Sequence, residues 1–75
     1  MGYTAINGHV PVVSNDLPST FTGSMHTCKK KCDALRKCNS FEHSANANLC
    51  QLLEQLAPTE PNYGDWQFCT SGIKF

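Results

Sequence analysis

Three observations on this 75-residue chain predict an α+β fold, with one helix packed across a curved antiparallel sheet and stapled by disulfides. The first is five cysteines in so short a chain. Cores of domains below roughly 70–80 residues seldom contribute more than ~3–5 kcal/mol, so covalent staples are expected. The second is a segment free of Gly and Pro, Ser24 to about Lys37, in which Met25, Cys28, Cys32 and Leu35 recur at three- and four-residue steps. That spacing is one apolar face of a helix. The third is that the flanking segments are short β-prone runs separated by turn formers. A single domain over residues 1–75 follows, because the length leaves no room for a second core.

Taken in order, Gly2 to Val13 is rich in Tyr, Thr, Ile and Val and reads as one or two strands. Asn7-Gly8 supplies a turn within it, and Pro11 argues against a central strand further on. Ser14 to Thr20 is a cluster of turn formers, hence a loop. Ser24 suits the helix N-cap with Gly23 before it, and Cys38-Asn39 ends the helix. Ser40 to His43 and Leu49 to Leu53 are short strands joined by the polar run Ser44 to Asn48, a hairpin with a longer loop. Pro58 and Pro61 bracket an irregular connection. Asp65 to Thr70 alternates, with Trp66 and Phe68 on one face and Gln67 and Cys69 on the other. The first and last strands are expected to pair antiparallel, burying Trp66 beneath the helix or against Leu52. On that placement Trp66→Ala is close to unfolded and Cys69→Ser is nearly silent.

Six basic and six acidic residues give a formal net charge of zero, which offers no reason to expect nucleic acid or an anionic membrane as partner. No stretch approaches the roughly 20 apolar residues that span a bilayer. Met1-Gly2-Tyr3-Thr4 lacks the basic start and apolar run of a secretory leader, yet the cysteine density points to an oxidising destination. Two readings reconcile these facts. Either a leader has been removed and Met1 is an added start residue, or the chain is made without one and oxidises later, as on a particle surface.

Charge is informative in its distribution. Lys29, Lys30, Lys31, Arg36 and Lys37 are five of the six basic residues and all fall on the predicted helix, relieved by Asp33 alone. At 100° per residue, Lys29, Lys30, Arg36 and Lys37 cover an arc opposite the cysteine face. That arc is either a solvated helix back, favourable near the C-terminal end of the dipole, or a patch facing a sulfated glycan or an acidic protein surface. Tyr63 and Trp66 border the proline loop and are either core aromatics or a shallow sugar- or peptide-binding rim. His43 reads as a half-buried packing residue with one hydrogen bond, or as a pH-sensitive ligand contact.

Cysteines 28, 32, 38, 50 and 69 allow fifteen connectivities with one left over, and spacing alone does not choose. Cys28 and Cys32 sit one helical turn apart on the face shared with Met25 and Leu35, so both sulfurs point into the core. Cys32 reaches Cys38 just past the helix end, and Cys28 reaches a strand packed beneath, which Cys50 would supply. Zinc is the rival use, with His9, His26 and His43 in the chain, but the close second ligand pair of structural zinc sites is missing. No arrangement of Cys69, His43 and the acids resembles a nucleophile with its base, so no catalytic residues, metal or cofactor are expected.

The run CKKKCDALRKCNSFEH followed by CQLL resembles the PAN/apple family: a helical C-x3-C, a third cysteine, an aromatic three residues on, then C-x-L. Cys28, Cys32, Cys38, Phe41, Cys50 and Leu52 match that pattern, and the likeness extends over essentially the whole chain. It implies the pairs Cys28–Cys50 and Cys32–Cys38, which by loop length would contribute about 3.4 and about 2.4 kcal/mol. Cys69 departs from the family, whose apple members tie a terminal cysteine to one near the start; here it is left as an unpaired or intermolecular thiol. The resemblance also implies a non-catalytic, secreted recognition or adhesion module that binds a protein or glycan, anionic if the basic arc is the site. The alternative is a structural subunit of a larger homo- or hetero-oligomer, such as a virus-particle surface protein.

Overall fold

The computed structural model describes residues 2–10, 17 and 20–71. Its strands are β1 (Thr4–Ile6), β2 (Phe21–Thr22), β3 (Ser40–Ser44), β4 (Leu49–Leu53) and β5 (Trp66–Thr70), and its helix is α1 (Met25–Ala34). The strands form one antiparallel sheet in the order β1-β5-β3-β4-β2. The fold class is α+β, with one face of the sheet under the helix.

Two determinants set the helix bounds. Ser24 accepts a hydrogen bond from the Thr27 N–H on its side chain, satisfying one of the free donors of the first turn. At the other end the helix stops at Ala34, three residues short of the predicted Lys37. Six further helical residues would set Cys32 and Cys38 about 9 Å apart along the axis, beyond disulfide reach. The chain instead turns out of the helix at Leu35 and brings their Cα atoms to 5.2 Å. Arg36 and Lys37 therefore lie in the turn after α1, not on it. A second disulfide ties Cys28 of α1 to Cys50 of β4.

Phe41, Cys50, Leu52 and Cys69 point from the sheet to the helix and meet Cys28, Cys32 and Cys38, with Tyr3, Phe21, Met25 and Leu35 packed around them. Alternation sends Phe68 and Leu53 to the opposite face, where Val10 and Ile6 cover them. Each fully buried side chain of this kind contributes about 1.5–3 kcal/mol. Because β3 runs through the middle of a sheet covered on both sides, all five of its residues are buried.

The end strands pair as predicted, Thr4 opposite Thr70 and Ile6 opposite Phe68. The face given to Trp66 requires correction. Ala5 lies opposite Cys69 in the helix-facing row, so Cys69 is the residue beneath α1, while half-buried Trp66 belongs to the other face, opposite Ser44. Strand β2 falls within a stretch that offered no strand signal; the predicted second half of the first strand, residues 11–13, lies outside the described residues.

Candidate functional site

The basic side chains occupy the outside of α1 and the turn after it. Lys29, Lys30, Lys31, Arg36 and Lys37 are all exposed. The sole acid of α1, Asp33, is turned toward β1, where the Tyr3 hydroxyl donates to its Oδ1 at 2.7 Å. Burial, then the hydrogen bond and charge of Asp33, hold the Tyr3 hydroxyl far above the ordinary phenol pKa. Lys31 lies over the Phe21 ring, its Nζ 5.6 Å from the centroid. Lys29 lies on the other flank, near enough to Cys69 for its charge to favour the thiolate, although burial dominates and pushes the Cys69 thiol up.

Tyr63 and Trp66 do not join this surface. Tyr63 is 65% exposed and stacks on His9, with ring centroids 5.2 Å apart. Trp66 donates its N–H to the Tyr63 carbonyl at 3.2 Å, so the two share a turn, on the side of the sheet away from α1. Beneath them lies a polar cluster that sequence reasoning missed. Glu42 is 1% exposed, with Oε1 2.7 Å from His9 Nδ1 and Oε2 accepting from the Val10 N–H at 3.2 Å. The His9 backbone N–H donates to the Glu60 carbonyl at 2.8 Å, which lays the proline loop over the back of the sheet. Gly8 permits this approach: its φ is +137°, and a Cβ there would meet Pro58 at 2.2 Å. The carboxylate of Asp65 accepts from Asn46 N–H and the Ser44 hydroxyl, and these bonds, in that order, hold it below the usual carboxylate range.

His43 is buried on the helix side and donates Nε2–H to the Gly23 carbonyl at 3.0 Å. Four cysteines are in disulfides, and Cys69 is unpaired and buried. Among the described residues no group of three or more His, Cys, Asp or Glu is placed to hold a metal ion. Nor does any described helix have the length and apolarity to cross a membrane. The arrangement is one of surfaces: a cationic helix side, and an aromatic turn backed by a buried His–Glu pair.

No curated protein and no solved structure matches the chain. A family model does: residues 4–68 of the 75 match the PAN domain, whose α+β fold and disulfide-tied helix are those seen here, and the chain belongs to the PAN/apple family.

Proposed function

We propose that this chain is a non-catalytic recognition module, acting outside the cell, that binds an anionic partner through α1 and the turn after it. PAN domains in general are protein- or carbohydrate-binding modules, and two disulfides suit an oxidising compartment. The carrying observation is the one-sided charge of α1. Lys29, Lys30 and Lys31 are exposed on it, Arg36 and Lys37 follow, and Asp33 is engaged by Tyr3. Concentrating the cations of a neutral chain on one side produces a local field that the net charge conceals.

Heparin serves as the anionic probe. The oxidised domain is expected to be retained on a heparin column and released by salt, because exposed charges are screened at high ionic strength. Charge reversal at Lys30 and Arg36 should abolish retention while leaving the melting temperature unchanged. Equal retention of the double variant would overturn the reading.

A further inference from the structure

A groove lies between the second half of α1 and strand β2, lined by Phe21, Thr22, Lys31, Ala34, Leu35 and Leu52. Its volume is about 520 Å³, within the range of roughly 300–1,000 Å³ typical of binding clefts. Four of the six lining residues are apolar, and the Lys31 ammonium is the sole charge among them. Lys31 has no ion-pair partner among the described residues, since Asp33 sits on the opposite flank of α1.

The rim of the groove is also the edge of the sheet. Gly23 N–H donates to the Asn48 carbonyl at 2.8 Å, so Gly23 and, two residues earlier, Phe21 occupy the hydrogen-bonded positions against β4. Thr22 lies between them, opposite Leu49, and by the antiparallel pattern its N–H and C=O point away from β4. Since β2 ends the strand order, those groups face an edge that no strand among the described residues covers. A strand added there would run about 4.8 Å beyond β2, with alternate side chains on the helix side. Ala34, the smallest lining residue, leaves room for them.

We propose that this groove receives an extended segment of an acidic protein partner by strand addition to β2. The segment pairs with Thr22, sets an aliphatic side chain against Phe21 and Leu35, and brings a carboxylate two residues away to Lys31. The inference rests on the recognition reading above and gives it a site and a partner class. Charge complementarity selects the occupant. A glycan cannot continue the sheet, and two copies joined through β2 would bring two Lys31 ammoniums to one side of a continuous sheet.

The test uses the intact oxidised chain, ¹⁵N-labelled, and a blocked threonine heptapeptide carrying Leu at its third position and Glu at its fifth. Saturable amide shifts at Thr20–Gly23 and Ala34–Leu35 are expected. They should vanish with a peptide N-methylated on the edge facing β2. Lys31→Glu should weaken binding about tenfold, roughly one exposed ion pair lost and one repulsion gained, and should favour the peptide with Lys in place of Glu. Ala34→Trp should fill the groove and abolish peptide binding while heparin retention persists. No binding at millimolar peptide, shifts confined to other surfaces, equal binding of the N-methylated peptide, or concentration-dependent dimerisation through β2 would each overturn the inference. Heparin retention that survives such a result leaves the recognition reading standing, whereas its own loss of dependence on Lys30 and Arg36 removes that reading separately.

Discussion

Replacing His9 by alanine should strand the Glu42 carboxylate in the back layer of the sheet. The carboxylate is 1% exposed, and it also accepts from the Val10 N–H at 3.2 Å. Removing one member of a buried pair costs about 3–5 kcal/mol. His9 is itself 14% exposed, which lets water reach the pair and favours the lower end, about 3 kcal/mol. At this chain length each kcal/mol moves Tm by about 4–8 °C, so His9→Ala should melt roughly 12–24 °C below the parent. Adding Glu42→Leu should recover most of the loss, because the new side chain lies opposite Phe68 on the face where Val10 and Leu53 pack. Replacing both partners of a buried polar contact by apolar groups is often neutral or stabilising. Urea unfolding followed by Trp66 fluorescence, with the m-value held as a check on two-state behaviour, gives all four corners of the cycle. The double variant should be more stable than His9→Ala by about 2 kcal/mol. Single costs that sum to the double within about 0.5 kcal/mol would refute the coupling and leave packing alone to hold the proline loop.

Other substitutions follow from the faces of the sheet. Phe68→Ala should cost about 3–5 kcal/mol, whereas half-buried Trp66→Ala should cost about half as much and remain folded in thermal melts. Cys69→Ser, expected from sequence to be silent, should instead cost about 1–3 kcal/mol in urea titrations, because it places a hydroxyl beneath α1. The raised pKa of the buried thiol should leave Cys69 unreactive toward an aromatic disulfide reagent at pH 8 until denaturant is added. The Asp65 carboxyl has its pKa lowered in the fold, so its stabilising effect is complete above the unfolded value near 3.9 and lost as pH falls through the lower folded value. Asp65→Asn should therefore remove that acid dependence from the amide signals of Asn46 and Ala47, measured by NMR from pH 6 to pH 2.

What sequence could and could not reveal divides along local and non-local physics. The helix was legible because Met25, Cys28, Cys32 and Leu35 repeat with helical period, and β4 was legible because Leu49–Leu53 is bounded by a polar loop. The end of the helix was not, because a disulfide to Cys38 overrides the good helix formers at Leu35–Lys37. Alternation separated Trp66 from Cys69, but pairing with Ala5 decides which of them the helix covers. Nothing near Glu42 in the sequence signals its burial, because its cover, His9, comes 33 residues earlier. The lining of the groove is drawn from β2, α1 and β4, and no short motif joins those segments.

The pairing of β1 with β5 has a topological consequence. Thr4 stands opposite Thr70, so the described chain enters and leaves the sheet at a single corner. The two disulfides, separated by 22 and 6 residues, lie wholly inside the intervening chain and do not lock that corner. Ends that lie together can be joined, so a circular permutant linking Ser71 to Gly2 through a short glycine-serine bridge and opened in the exposed turn at Ala45–Asn48 should retain both disulfides and the strand order. By the same geometry the whole unit can be inserted into a surface loop of a host domain without spreading the ends of that loop apart. Inserted in that way, the unit would be held at one corner, like a leaf on its stalk, with the β2 edge on the far side of the sheet.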